Sequence, residues 1–283
     1  MQSLWMLLAS LLFACMGVCV KLAADTHSAV EITFYRSFIS LILMFGLVRL
    51  RGVSLVTPHW RWQISRGIVG FSALFAYFYA ITLLPLVTAV TLNYTSAIFL
   101  AIYLALAGMR LRPGIIGALI LGLVGVVLLL KPSIQADQLF AGLIGLASGV
   151  MAGMAYFSVR ELGIRGEPVT RTVFYFSLTA SVCAGVWLAF SELHAVDLKS
   201  GLNLFGVAGF ATVAQLAMTR AYARGKTLMS AALAYSTVIF SSLFGVLLWG
   251  EVLDSSAWLA IGLIILSGIA ATHFSRASPV EQD

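Results

Sequence analysis

The sequence predicts an all-α integral membrane protein in which ten transmembrane helices form two inverted five-helix repeats around a central cavity. Three observations predict this fold. Hydrophobic residues make up 61% of the chain and charged residues 10%. An ordinary soluble domain has roughly 25% charged residues, so lipid must cover much of this protein's surface. The apolar residues fall into ten runs of membrane-spanning length, and a short segment of the fourth run returns half a chain later in the ninth.

Each apolar run is interpreted as one span, because a helix needs about 20 apolar residues to cross the hydrocarbon core of a bilayer. The residues before the first run include no Lys or Arg, so this run is expected to be a retained helix and not a cleaved signal peptide. Five prolines lie in connections or at helix starts, where a missing N–H does no harm. The predicted spans 1 to 10 are 3–22, 29–48, 67–84, 87–107, 113–130, 138–159, 172–190, 202–219, 228–248 and 256–274.

The positive charges lie almost entirely on one side of the predicted membrane. With both termini in the cytoplasm of a bacterial inner membrane, 13 of the 17 Lys and Arg residues lie in cytoplasmic loops and the tail, 3 lie outside, and Arg36 lies within span 2. The cytoplasmic set includes Arg61 and Arg66 before span 3 and Arg220 after span 8. Cytoplasmic loops of membrane proteins are enriched in such residues. The net charge of +6 therefore reflects topology, and nucleic-acid binding has no support.

Matches at nearly one shift indicate that the chain is duplicated. Tyr94 to Phe99 in span 4 matches Tyr235 to Phe240 in span 9 at a shift of 141 positions. Phe34 to Ser37 in span 2 matches Phe174 to Ser177 in span 7 at a shift of 140. Because each half holds five spans, an odd number, the halves must enter the membrane in opposite directions. The predicted units are a first repeat over 1–134, an inverted second repeat over 135–276 and a cytoplasmic tail over 277–283.

These motifs resemble the drug/metabolite transporter superfamily, in its ten-helix EamA-type branch, over essentially the whole chain. The resemblance includes Arg36 within the span 2 motif and the Gly250-Glu251 ending of span 9. The segments that begin at Tyr94 and Tyr235 resemble the family's Tyr-x-x-Pro-x-Phe pattern. It implies a fold of two five-helix repeats with the substrate site between them.

Two departures from the family pattern bear on the helices. Ala97 and Val238 stand where the pattern has proline, which leaves open whether spans 4 and 9 are kinked. Arg110 stands where the first half of the family usually has Glu, and its counterpart in the second half is Glu251. These opposite charges suit loops on opposite sides of the membrane.

The resemblance implies a secondary transporter of small polar metabolites, amino-acid-like or carboxylate-bearing, that works by alternating access, with export as the expected direction. It is not expected to be an enzyme or to need a cofactor. The expected partners are a small-molecule substrate and the lipid bilayer; the oligomeric state stays open, a monomer included. One alternative is a lipid-linked sugar flippase, which should have a lateral opening and a larger basic patch. The other is a membrane-embedded enzyme, for which the sequence offers no nucleophile–base pair and no metal cluster.

Arg36 is the first candidate substrate-binding residue, because it lies about 10 Å into span 2 at 1.5 Å per residue. An Arg near the centre of a membrane helix costs about 2.5–3.5 kcal/mol on the insertion scale, so a cavity or a partner must offset this cost. We expect Arg36 to face the central cavity and attract an anionic group of the substrate. The structural alternative is that it snorkels outward or ties span 2 to a neighbour. Glu31, five residues earlier, is expected to be solvated.

The other candidates share a polar group deep within a span. An unsatisfied polar group facing lipid is costly, so such groups should face the interior of the bundle. They could bind substrate there, or they could bond helix to helix, which is worth about 0.6 kcal/mol per bond. The candidates are Asn93, Gln215, Tyr79, Tyr94, Tyr156 and Tyr235.

Two further patterns concern packing and chemistry. Gly145, Gly149 and Gly153 form a smooth stripe along span 6, which predicts close contact with another helix. The four histidines are scattered and the three cysteines lie in apolar runs, so neither a metal site nor a disulfide framework is predicted. No Asp or Glu lies securely in the middle of a span, so proton coupling through a buried carboxylate is not predicted.

Overall fold

The computed structural model describes residues 2–84, 86–131, 138–191, 193–250, 252 and 255–276. Each predicted span is helical, and no β-strand occurs in these ranges. Glu251 and the tail 277–283 lie outside the described residues. The helices are α1 (Trp5–Ala23), α2 (Ala29–Leu50), α3 (Trp60–Leu83), α4 (Leu86–Tyr94), α5 (Ser96–Leu106), α6 (Pro113–Leu130), α7 (Leu139–Ile164), α8 (Val169–Leu188), α9 (Leu198–Arg224), α10 (Thr227–Ala234), α11 (Ser236–Trp249) and α12 (Ser255–Arg276).

Nine segments within the described ranges are long and apolar enough to cross a membrane, with α4–α5 and α10–α11 each counted as one. The prediction of an all-α, multi-pass membrane protein is therefore confirmed. The helix α3 is not among the nine, although its 24 residues extend about 36 Å at 1.5 Å per residue. It begins seven residues before predicted span 3, and this moves Arg61 and Arg66 from the predicted loop into the helix.

The contacts between helices are similar in the two halves of the chain. The helix α1 packs against α9. When first-half spans are exchanged with their second-half counterparts, α1 becomes α7 and α9 becomes α3, and these two helices also pack together. The same exchange converts the contact of α1 with α11 into that of α7 with α5. It leaves the pairs α2–α8 and α6–α12 unchanged. The two halves are thus interleaved, and most helix contacts join one half to the other.

The glycine stripe of span 6 lies against the α4–α5 segment, as predicted. A Cβ atom on Gly145 would approach Leu92 Cδ1 to 2.7 Å, and one on Gly149 would approach Leu92 O to the same distance. A Cβ on Gly153 would lie 2.9 Å from Ser96 O. Real Cβ atoms essentially never make such approaches, so glycine allows α7 to lie directly on the backbone of span 4.

Spans 4 and 9 are both interrupted at equivalent places, without proline. The breaks fall at Thr95 and Tyr235, where the backbone N–H groups donate to carbonyls three residues back, at 3.2 and 3.3 Å. Such bonds are typical of a tighter 3-10 turn. Nearby hydroxyls bond the local carbonyls too: Thr95 Oγ1 donates to Leu92 O at 2.5 Å, and Ser236 Oγ to Leu233 O at 2.6 Å. Bonds from Ser and Thr side chains to nearby backbone carbonyls bend helices. The hydroxyl groups of Thr95 and Ser236 therefore favour a bend at each interruption.

Candidate functional site

A narrow polar cavity lies between α2, α8 and α9. Its volume of about 10 Å³ is close to the smallest space that admits one water molecule, so the site is closed to solute-sized molecules. Arg36 and Gln215, two of the predicted binding residues, both line it. The full lining is Arg36, Ser37, Ser40, Val173, Phe176, Ser177, Ala211, Thr212 and Gln215.

Small polar side chains explain why three helices meet here. Thr33, Ser37 and Ser40 are buried along one face of α2, at the three- and four-residue spacing that puts side chains on one side of a helix. Ser40 Oγ lies 2.7 Å from Thr212 Oγ1, which joins α2 to α9 at the edge of the cavity. Side chains of this size let the helices approach closely and still leave polar atoms in the interior.

Three polar atoms around the cavity are buried and have no hydrogen-bond partner among the described residues. They are Arg36 Nε, Ser37 Oγ and Gln215 Nε2. Buried polar groups are almost always hydrogen-bonded, and leaving one unpaired costs about 1–3 kcal/mol. Two of these atoms are pure donors and the hydroxyl can donate, so the cavity is suited to a group rich in acceptor oxygens.

Arg66 is a buried cation that sequence reasoning placed in a cytoplasmic loop. It lies in the second turn of α3 and is only 3% exposed. Its Cζ lies 4.4 Å from the ring centroid of Phe176, which also lines the cavity. A Cβ on Gly70 would collide with Arg66 Nη1. The guanidinium therefore extends over the following turn of its own helix, toward the interior, and does not snorkel back toward the start of α3.

The contacts of Arg66 do not offset the cost of burying it. A cation–π contact contributes about 0.5–2 kcal/mol, and an Arg at the centre of a membrane helix costs about 2.5–3.5 kcal/mol. Its Nε and Nη1 atoms have no hydrogen-bond partner within the described ranges. The sequence signal for this residue is Gly70, which follows Arg66 by four residues and lies on the same helix face, but only the fold shows what fills the space over it.

Four tyrosines form a cluster in the described interior, and three of them were predicted. The ring centroids of Tyr94 and Tyr235, the pair from the repeat, lie 5.9 Å apart. Those of Tyr156 and Tyr222 lie 4.7 Å apart and are stacked. Tyr222 and Tyr235 are buried in one hydrophobic cluster, and Tyr94 and Tyr156 pack against it; Tyr222 was missed because it follows Arg220, where a loop was expected. The hydroxyl of Tyr235 is buried without a partner among the residues described.

Arg66 lies beside the polar cavity. Its Cζ lies 4.4 Å from the ring centroid of Phe176, which belongs to α8 and lines the cavity. Of the predicted site residues, Arg36 and Gln215 line the cavity, whereas Tyr94, Tyr156 and Tyr235 belong to the tyrosine cluster.

Asn93 and Tyr79 lie apart from the cavity wall. Asn93 Nδ2 donates to Ser148 Oγ at 3.1 Å, which joins α4 to α7. This is the helix-to-helix bond that was the structural alternative for Asn93. Tyr79 is 43% exposed, and its ring stacks on Phe75 with a centroid distance of 6.4 Å. The substrate-binding role predicted for both residues stays a prediction.

The expectation that Glu31 is solvated is wrong. Its side chain is 0% exposed, because it forms a capping box with Ser28 at the start of α2 and accepts hydrogen bonds from a distant loop. The donors are the backbone N–H of His194, at 2.6 Å, and Ser28 N, at 2.7 Å; His194 Nδ1 lies 2.9 Å from Oε2. Local polarity predicted exposure, and only the fold brings the loop over this carboxylate.

Within the described ranges, no group of three or more His, Cys, Asp or Glu side chains could hold a metal ion. The polar groups that line the cavity are the guanidinium of Arg36, the amide of Gln215 and hydroxyl groups. These groups bind a carboxylate through charge-assisted hydrogen bonds.

Comparison with known proteins agrees with this fold. The sequence model of the EamA-like transporter family matches residues 1–131 and 139–272. The chain is 30% identical to the pseudopaline exporter of Pseudomonas aeruginosa over 270 residues, which is 95% of each chain. It is also 30% identical to an uncharacterized transporter of Helicobacter pylori, over 93% of this chain and 91% of that one. A crystal structure of a protein 21% identical to this chain covers 98% of it with a TM-score of 0.85, which shows the same fold.

Proposed function

This chain belongs to the EamA-like transporter family, and we propose that it exports a small polar metabolite, carboxylate-bearing or amino-acid-like, by alternating access across a bacterial inner membrane. Family membership makes it a multi-pass membrane transporter and not an enzyme. The observation that carries the substrate proposal is the cavity in which Arg36 and Gln215 meet. Export is supported by the 30% identity to a pseudopaline exporter over 95% of the chain.

The proposed architecture is ten spans in two inverted repeats, over 1–134 and 135–276, with both termini and the tail 277–283 in the cytoplasm. Three findings support it: the symmetric exchange of helix contacts, the family match in two segments and the equivalent breaks in spans 4 and 9. The skew of Lys and Arg toward one side supports the orientation.

In the proposed mechanism, Arg36 attracts the carboxylate of the substrate into the polar cavity. The planar guanidinium can donate two parallel hydrogen bonds to a carboxylate. The Gln215 amide and the Ser37 hydroxyl supply further donors, since both atoms are unpartnered among the described residues. Opening the closed cavity requires helices to move, and the 3-10 turns at Thr95 and Tyr235 are the proposed hinges, because such turns within helices often mark hinges.

The flippase alternative is not favoured by the structure. An apolar groove of about 500 Å³ lies between α1 and the helices α10 to α12, and it could serve as a lateral opening. Its described lining has no Lys or Arg, so it lacks the basic patch that a lipid-linked sugar would need. The lining is Leu4, Leu7, Ala232, Leu233, Ser236, Ile239, Ile264, Ile265, Gly268, Ile269, Thr272 and His273.

The proposal is tested by comparing cells with and without the protein. Untargeted metabolomics of the medium should show one or more carboxylate-bearing metabolites that accumulate only when the protein is present. Flux of the strongest hit is then measured in liposomes that contain the purified protein. The Arg36→Ala variant should lose most of this flux, about 10-fold or more, because a hydrogen bond to a charged group contributes about 1.5–3 kcal/mol.

Arg49→Ala is the matched control, because Arg49 lies in the same helix and is exposed, and it should transport like the wild type. Wild-type flux by Arg36→Ala, at equal protein abundance in the membrane, would exclude the substrate role of Arg36. A cationic or neutral hit would reject the substrate class.

A further inference from the structure

We propose that Arg36 and Arg66 form a two-cation site, and that the transported solute therefore carries at least two carboxylate groups. This inference rests on the proposed transport of a carboxylate-bearing solute. It goes further by assigning a second binding residue, on α3, and by restricting the class of substrate.

Both guanidinium groups keep unused donors in the interior. Arg66 has two buried nitrogens without a hydrogen-bond partner among the described residues, and Arg36 has one. Neither arginine forms an ion pair with a carboxylate within those ranges. Both lie by Phe176, because Arg66 contacts its ring and Arg36 lines the same cavity as this residue. Two neighbouring cations that lack an anion raise each other's energy in a medium of low dielectric constant.

Glu167, the acidic residue that bonds α3 one turn before Arg66, is already engaged. Glu167 accepts a hydrogen bond from Gln63 Nε2 at 3.1 Å, and Gln63 lies one turn before Arg66 on α3. Its other partners are Thr57 Oγ1 and Arg171 Nη1. Because these three donors satisfy Glu167, the counterion for Arg66 has to come from outside this network.

Phe176 lies where it can control access between the two cations. The Arg66 guanidinium lies 4.4 Å from its ring centroid, and the ring also forms part of the wall of the cavity that Arg36 lines. Displacement of this one side chain would join the space beside Arg66 to the cavity. Because Gly70 has no side chain, the Arg66 guanidinium can lie over this position. The helix α3 therefore directs Arg66 toward Phe176.

The charge balance selects the substrate class. A monocarboxylate neutralises one guanidinium and leaves the other cation buried and unpaired. A solute with two carboxylates neutralises both, and each guanidinium can bind its carboxylate through two parallel hydrogen bonds. The site should therefore prefer dicarboxylates over monocarboxylates of the same length.

Glutarate and valerate are suitable probes, because they have the same number of carbons and differ by one carboxylate. Their affinities for the purified protein in lipid nanodiscs are measured by titration calorimetry. The wild type should bind glutarate about 10- to 100-fold more tightly than valerate, the range expected for one more hydrogen-bonded charge. Arg66→Gln should remove this preference by weakening glutarate far more than valerate, whereas Arg66→Lys should restore part of it.

Arg61→Gln is the matched control on the same helix, because Arg61 is exposed and should keep the full preference. If Arg66→Gln does not fold, Gly70→Ala provides a second test, since the added Cβ displaces the guanidinium and keeps the charge; it should also lower the preference. Arg36→Gln should weaken the binding of both solutes.

The outcomes separate this inference from the proposed function. If Arg36→Gln weakens both solutes while Arg66→Gln and Gly70→Ala keep the glutarate preference, the two-cation site is overturned and carboxylate transport stands. Equal wild-type affinity for the two solutes, or binding of neither, also overturns the two-cation site. If the exported metabolite carries no carboxylate, the proposed function fails as well.

Discussion

Two buried carboxylates, Glu31 and Glu167, each tie a loop to the start of a helix, at two places that the proposed repeat relates. Glu31 lies in the first turn of α2, and Glu167 lies just before α8; these two helices exchange places when the halves are exchanged. The Glu31 network consists of Glu31, Ser28 and His194. The backbone N–H of His194 donates to Glu31 at 2.6 Å and fastens the α8–α9 connection to α2, while Ser28 N, at the start of α2 itself, donates at 2.7 Å.

The Glu167 network uses side chains in place of backbone groups. Thr57 and Gln63 donate to Glu167, and Arg171 forms an ion pair with it at 3.0 Å. Arg171 Nε also donates to Ser54 O at 2.7 Å, so the α2–α3 connection is fastened to α8. The Glu167 side chain is 2% exposed and the Arg171 side chain 12%. This network therefore holds a charge pair away from water.

The difference shows which of the two loop attachments depends on side-chain chemistry. In the Glu31 network the only charged or titratable partner is His194, which is 52% exposed, and the other donors are main chain. Exposed pairs contribute about 0–1 kcal/mol, whereas the loss of one member of a buried pair costs about 3–5 kcal/mol. We expect the α8–α9 connection to detach from α2 at a lower cost than the α2–α3 connection detaches from α8.

The largest effect is expected from Glu167→Ala. This change leaves Arg171, Gln63 and Thr57 without their shared acceptor, so unfolding free energy should fall by about 3–5 kcal/mol. Chemical unfolding of the purified protein in detergent, followed by tryptophan fluorescence, measures it. Asp25→Asn is the control, because Asp25 is exposed and such a surface change should stay within about 0.5 kcal/mol. Equal effects of the two changes would contradict the assignment of a buried network.

An intermediate effect is expected from Glu31→Gln. The neutral amide keeps one acceptor oxygen but loses the charge that strengthens the bonds from Ser28 and His194, so we expect a loss of about 1.5–3 kcal/mol. The same unfolding experiment measures it, with the exposed Asp25 in the preceding turn, changed to Asn, as the control. A loss as large as that of Glu167→Ala would remove the distinction between the two networks.

The smallest effect is expected from His194→Ala, at most about 1 kcal/mol. The backbone N–H of this residue still donates to Glu31, and only the half-exposed imidazole contact disappears. His194→Pro removes the N–H itself and should destabilise the protein more than His194→Ala in the same assay. The reverse order would show that the imidazole, and not the main chain, holds the connection.

Much of the fold and part of the site could be predicted from the sequence. Apolar runs located every span, and the echo of Tyr94 at Tyr235 predicted a pair that the structure brings to 5.9 Å. The start of span 3 was predicted too late in the chain. A charged residue such as Arg66 resembles a loop residue when its neighbours in the fold are unknown. The kinks in spans 4 and 9 were left open, because only the hydrogen bonds around Thr95 and Tyr235 show them.

The sequence by itself determined the class, an all-α multi-pass membrane protein, and it predicted the duplication, because hydropathy and repetition are local properties that add up along the chain. Only the tertiary structure decided which polar residues share a space. Arg36 and Gln215 meet because α2 and α9 pack together, and Glu31 is buried because a loop 163 residues away covers it. Burial depends on atoms from distant segments. The interior position of Arg66, over Gly70 and against Phe176, could therefore appear only in the folded molecule.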